Sequence, residues 1–293
     1  MEKQTKQQKI YESINDFFIR AIELKDSGKI EAYFKFLKKV PDHAPFNNSL
    51  VFVQNPDCGY YATAKQWQDR FKRTIKKDAR PMVILFPFGP VEFVYDIEST
   101  EGEKITDEEV LFWWRENGGI LNDKIIENTR LNLDSLDVKY KHLESRKYFE
   151  EASHRTGGYA QRNHANNELS IVLHPRYSKE SLESYGVLCH EIAHILLGHI
   201  GPVEILSKKE NERRRVVAKD RESVPKNIQE LEAELVAWIV FESLGIEKNS
   251  ESYMASWMND QDDIRGLSMS DVLRVAGKIQ EMGKRRGVFK KIT

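Results

Sequence analysis

The chain has only two cysteines in 293 residues, Cys58 and Cys189, too few for a disulfide framework. Cys189 directly precedes a histidine and reads as a small buried thiol. No apolar run approaches the roughly 20 residues of a membrane span, which excludes a membrane partner. Met1-Glu2-Lys3-Gln4 leads into a charged amphipathic stretch without the apolar core of a signal peptide, so the expectation is a soluble, cytoplasmic protein. Charge of one sign is not in excess either. The 45 Lys and Arg against 46 Asp and Glu leave a net −1, so no global field attracts a polyanion, and any nucleic-acid contact must come from a local patch. Internal repeats, low-complexity tracts and a helix-turn-helix signal are absent, which ranks a transcriptional regulator low.

What the chain does have is globular material, 40% hydrophobic and 10% aromatic residues, over a length that suggests two domains. Residues 7–40 carry helical spacing (Ile10, Ile14, Phe17, Phe18, Ala21 and Ile22 on one side, then Ala32, Phe34 and Leu37), and the Pro41–Pro45 stretch breaks it. From Ser49 the texture reads as short strands: Leu50–Val53, Met82–Phe86 and Val91–Tyr95, the last two joined by a turn at Phe88-Gly89-Pro90. A helix is expected over Ala64–Phe71. Residues 97–150 are charged and less periodic. Beyond them come a turn at Gly157-Gly158-Tyr159, a strand over Leu169–Leu173, a long apolar helix, a charged loop over 201–227, a helix from about Asn227 to Leu244, and a shorter one from about Ser270 to Met282.

The apolar helix carries His190-Glu191-Ile192-Ala193-His194. Positions four apart share a helix face, so both imidazoles can address one ion, and zinc takes neutral imidazole nitrogen at about 2.0–2.1 Å. Leu188, Ile192, Ile195, Leu196 and Leu197 supply the apolar face, and no proline interrupts Leu182 to Gly201. Glu191 falls beside the open position of such an ion. There a water has its pKa lowered to about 7, and a carboxylate can take its proton as it attacks a carbonyl.

Two histidines need a third protein ligand. Glu230-Leu231-Glu232-Ala233-Glu234 places Glu230 and Glu234 on one face of the next helix, while Glu232 points elsewhere, and Ala233 and Ala237 permit a close approach. Glu230 is the expected third ligand to Zn2+, and Glu234 the carboxylate that orients a ligand histidine through its far nitrogen. His199 does not fit the metzincin pattern, which needs glycine seven and histidine ten residues after the first histidine; Leu197 and Ile200 stand there. It reads as a helix C-terminal residue. Tyr185 and Tyr253 are candidates for stabilising an oxyanion.

A second constellation lies in the first half. Lys65, Arg70, Lys72, Arg73, Lys76, Lys77 and Arg80 face only Asp69 and Asp78, interleaved with Trp67 and Phe71 and preceded by Tyr60 and Tyr61. Cations along a backbone with aromatic platforms are what single-stranded DNA binding uses, although Trp67 and Phe71, four apart, read as core.

The chain resembles the ArdC-like antirestriction proteins, related to the ImmA/IrrE group of metallopeptidases. In the second half the resemblance rests on Tyr185 to His194, Gly198-His199, Glu230 to Ala237, Gly157-Gly158-Tyr159 and the strand ending at His174-Pro175. In the first half it rests on Asn48, Gln54-Asn55-Pro56, Ala62 to Trp67, Lys76-Lys77, Ala79-Arg80-Pro81 and Asp96. It implies a single-stranded-DNA-binding N-terminal domain and service to a phage or mobile element, in antirestriction or in clearing a repressor. The chain departs from the family at Asp78, where the hairpin turn usually carries glycine; aspartate tolerates a left-handed turn but would repel a nearby phosphate.

The expected fold class is therefore α+β. A small α+β domain with antiparallel strands takes residues 1–105, and a zincin-like metallopeptidase domain carrying the HExxH helix takes 106–293, with the junction within 97–150. The expected function is a zinc-dependent peptidase acting on a protein substrate, with a DNA-binding N-terminal domain. The alternative is a non-proteolytic single-strand-binding or antirestriction module whose metal is structural.

Overall fold

A computed structural model describes residues 15–16, 27–40, 43–85, 91–106, 109, 121–142, 157–173, 181–206, 214–246 and 266–289. The protein is α+β, and the chain divides into two compact units: Met1–Ile120 with Glu242–Asp263, and Leu121–Phe241 with Ile264–Thr293. Among the described residues no helix is long and apolar enough to cross a membrane.

In the first unit, helices α1 (Ser27–Lys39) and α2 (Pro45–Gln54) are followed by β1 (Tyr61–Ala62), α3 (Ala64–Phe71), β2 (Thr74–Ile75), β3 (Met82–Ile84), β4 (Glu92–Asp96) and β5 (Thr100–Glu101). β1, β4 and β3 form an antiparallel sheet in that order, and β2 pairs with β5. The expected β3–β4 pairing is present, while its connecting turn at Phe88-Gly89-Pro90 lies outside the described residues, as does the helical stretch before residue 27 apart from Asn15 and Asp16.

The apolar run Leu50–Val53 is helical, not the expected strand. Four apolar residues carry no period of their own. The flanks decide: Pro45 occupies the start of α2, where its missing N–H costs nothing. The buried Asn48 donates to Val40 O (2.9 Å) and accepts from the Tyr61 hydroxyl (2.7 Å), anchoring the helix to β1. Two further amides on α2 substitute for a strand. Gln54 exchanges paired hydrogen bonds with Val83 N and O, and Asn47 with Leu85 N and O, all at 2.9–3.1 Å. They cap the edge that β3 would otherwise present for association.

The second unit contains α4 (Asp123–Asp134), β6 (Val138–His142), β7 (Gly158–Asn163), β8 (Glu168–Leu173), α5 (Leu182–Leu197), the hairpin β9 (Val203–Leu206) and β10 (Arg214–Ala218), α6 (Lys226–Ser243) and α7 (Met269–Lys284). β8 is the central strand of three, parallel to β6 and antiparallel to β7. The expected turn at Gly157–Tyr159 is instead the entry to β7. A side chain at Gly158 would meet Val172 O at 2.7 Å and Val187 of α5 at 2.9 Å, so glycine lets strand and helix touch. The region 97–150 also holds α4 and β6, and 201–227 holds β9 and β10, where charge masked short strands of one buried face. Asn132 of α4 donates to Met282 O and Arg285 O and accepts from Val288 N, closing the end of α7.

The end of α5 organises its surroundings. Gly198 adopts φ +79°, His199 N donates to His194 O (3.0 Å) and Gly198 N to Ile195 O (3.1 Å), the paired bonds of a Schellman turn. The strand leaving β10 lies directly on this turn, with Arg221 N donating to Gly198 O at 2.9 Å. A Cβ at position 198 would stand 1.7 Å from Lys219 O. Gly198→Ala therefore combines a left-handed penalty with a backbone collision and is expected to cost roughly 2 kcal/mol or more. Denaturant unfolding of the metal-free chain checks this; a loss under about 0.5 kcal/mol would contradict the packing described.

Candidate metal centre

α5 and α6 bring three ligand atoms together. His190 Nε2 lies 3.1 Å from His194 Nε2 and 3.3 Å from Glu230 Oε2, which is 3.7 Å from His194 Nε2. Ligands about 2.0–2.1 Å from a tetrahedral ion stand about 3.3–3.4 Å apart, so these separations are the edges of one face of such a polyhedron. Among the described residues this is the one cluster of histidine, cysteine and carboxylate atoms close enough to hold an ion.

The outer nitrogens of both imidazoles are engaged, which fits the residues for metal binding. His190 Nδ1 lies 3.3 Å from Glu234 Oε2; donation there leaves Nε2 with its lone pair toward the centre. His194 Nδ1 meets His199 Nδ1 at 3.0 Å, His199 Nε2 meets Glu232 Oε2 at 2.8 Å, and Arg221 grips both oxygens of Glu232 at 2.8 Å each. Sequence reasoning missed this second arm. His199 is expected only as a helix C-terminal residue, whereas its ring lies against His194; Glu232 points away from the Glu230–Glu234 face, as expected, and meets His199 there. The available signal was Gly198: a left-handed residue after a helix turns the next side chain back over it.

Glu191 is 6% exposed and buried beside the ligands, where the nearby Ala160 backbone of β7 favours its charged form. Burial raises its pKa to about 7, opposed by the His190 charge and assisted by Glu230. His190 is driven down by burial, but hydrogen bonds to Glu230 and Glu234 prevail and lift it to about 9. Burial pushes His194 down to about 4. Hydrogen bonds from His190 and His194 hold Glu230 far below the usual carboxylate range. Without a metal, the centre thus keeps a single extra proton, on His190, between about pH 7 and 9.

Other candidates fall elsewhere. Tyr185 is a core side chain, its hydroxyl 3.3 Å from Thr129 and its ring stacked on Phe241; Tyr253 lies outside the described residues. In the first unit Trp67 is fully buried and donates to Tyr95 O, and Phe71 is half-buried against it, so neither offers a stacking platform. Arg73 holds Thr100 and the Glu103 carbonyl. Lys65 pairs with Asp69, while Lys72 and Lys76 donate to the carbonyls of Asp69 and Glu98. Lys65, Arg70, Lys72, Lys76 and Lys77 are exposed. Asp78 needs no left-handed backbone; that conformation falls on Lys72, at φ +53°.

Comparison of the chain with protein-family models, with curated proteins and with solved structures finds no match.

A divalent ion must displace the His190 proton. Because the folded pKa is raised to about 9, that proton is present below this value and lost above it. Apparent metal affinity should therefore rise about tenfold per pH unit between roughly pH 7.5 and 8.5, with about one proton released. Below about 7 a further proton on Glu191 steepens the dependence. Competition titrations across this range check the slope; affinity already level above about pH 6.5, the ordinary histidine range, would contradict it.

Proposed function

We propose that the second unit is a zinc-dependent, zincin-like peptidase. The observation that carries this reading is the His190–His194–Glu230 face with Glu191 buried alongside. Two imidazoles and one carboxylate are a donor set suited to catalytic zinc. A structural site fills all four positions with protein atoms, whereas the described residues bring three ligands together, the number a catalytic site uses. Zinc held there supplies Lewis-acid polarisation of a scissile carbonyl and of the attacking water.

The chain's own residues do the rest. Glu191 accepts a proton from the water as it attacks and can return it to the leaving amine. A pKa near 7 suits both directions of transfer at neutral pH. The nearby Ala160 backbone of β7 favours the ionised, proton-accepting form of this carboxylate. Supporting a polypeptide substrate, β7 is an edge strand among the described residues and packs along α5, and strand edges take extended chains by backbone hydrogen bonding.

Glu191→Gln is expected to retain zinc and the unfolding profile of the wild type while slowing peptide hydrolysis by about 10²–10⁴-fold, the loss typical of a missing general base. A library of unstructured peptides, read by mass spectrometry with zinc-loaded protein, provides the assay. Equal cleavage by the variant would reject Glu191 as the base, and no cleavage by the zinc-loaded wild type would reject the peptidase reading.

A further inference from the structure

We infer that His199, Glu232 and Arg221 form a positioning relay that fixes the tautomer of His194 and thereby sets metal affinity at the centre. The inference rests on the metal-binding reading above and deepens it.

The relay runs in one direction only. Glu232 is fully buried: Arg221 Nη1 donates to one oxygen, Arg221 Nη2 and Ser268 N donate to the other, and His199 Nε2 lies against the first, all at 2.7–2.8 Å. A carboxylate so held accepts and does not donate, so the proton of neutral His199 stands on Nε2. His199 Nδ1 is then a lone pair, and at 3.0 Å it takes the Nδ1–H of His194. His194 Nε2 is left unprotonated, facing His190 and Glu230. The opposite tautomer of His199 would set its Nε2 lone pair against the Glu232 carboxylate at 2.8 Å, and its Nδ1–H would drive the His194 proton onto Nε2, the atom that faces His190 and Glu230.

The two ligand histidines are thus held differently. His190 is oriented directly by Glu234, which is partly exposed, whereas His194 is oriented through a second imidazole that is completely buried. The Schellman turn makes this possible. Residue 199 is five positions beyond His194, out of register with a continuing helix, and the left-handed Gly198 returns its ring to 5.1 Å from that of His194. The same turn docks Arg221 through Gly198 O, and Arg221 also donates to Gly266 O. The strand leaving β10, α6 and the start of α7 therefore all converge on the orientation of one ligand.

The test uses the full chain labelled with 15N-histidine. Long-range 1H–15N correlation spectra of the zinc-loaded wild type should show His199 protonated on Nε2 only; protonation on Nδ1 would overturn the relay. In competition titrations His199→Phe should bind zinc about 10–100-fold more weakly, the usual effect of losing a group that orients a ligand. His199→Gln, which keeps an acceptor and a donor, should recover most of that loss, and the cobalt-substituted visible spectrum should change in His199→Phe and return in His199→Gln. Thermal unfolding of the metal-free variants separates this from mere packing. Wild-type zinc affinity and an unchanged cobalt spectrum in His199→Phe would overturn the inference. Tight uptake by the wild type, weakened in His199→Phe, upholds it whether or not any peptide is cleaved. No uptake by the wild type overturns the metal reading and the relay together.

Discussion

The buried carboxylate of Glu232 is the constraint around which the second unit is arranged. A fully buried charge is tolerable only when its lone pairs are met, and here four donors from three separate stretches of chain meet them. Removing any one partner leaves an uncompensated group in a dry interior, which costs far more than the pair contributes when intact. This makes the carboxylate a specifier of geometry more than a source of net stability. His199, Arg221 and Ser268 all meet it, and these contacts tie together the end of α5, the segment leaving β10 and the start of α7.

The three alternating glutamates of α6 divide their work by position. Glu230 faces the two Nε2 atoms, Glu234 one turn later reaches the far nitrogen of His190, and Glu232 points away from that face to meet His199. Ala233 and Ala237, both buried, keep bulk out of the helix. Their chemistry differs with environment. Glu230 is half-exposed and held ionised by its histidines, whereas Glu191 sits deep enough that burial lifts its pKa to about 7. Under the proposed function, these two carboxylates would serve as ligand and proton acceptor without exchanging roles.

Much of the site was legible because it obeys helical periodicity. His190 and His194, and Glu230 and Glu234, are four apart on well-formed helices, and the structure brings the first three and then the fourth to one centre. The His199 arm was illegible to periodicity because it depends on a left-handed residue that breaks the helical register. In the fold, α3 lies over the expected Ala64–Phe71, where Thr63 and Gln66 form a reciprocal cap, and β8 was readable from its run of β-branched and aliphatic residues. Leu50–Val53 was misread because four apolar residues suit a buried helix as well as a strand; the tertiary partners of Asn47, Asn48 and Gln54 decide it. Of the basic stretch, the sequence shows charge, and the spacing of Trp67 and Phe71 already turns them inward, but it does not show that Arg73 is committed to Thr100 and Glu103.

The central claim, one ion held by His190, His194 and Glu230, is tested most directly by X-ray absorption at the zinc edge on the stoichiometrically loaded full chain. The account predicts one zinc with about four nitrogen and oxygen neighbours near 2.0–2.1 Å, an imidazole scattering pattern from two histidines, and no sulfur. Failure to take up zinc, a sulfur neighbour at about 2.3 Å, or loss of no ligand on substituting Glu230 by alanine would contradict it.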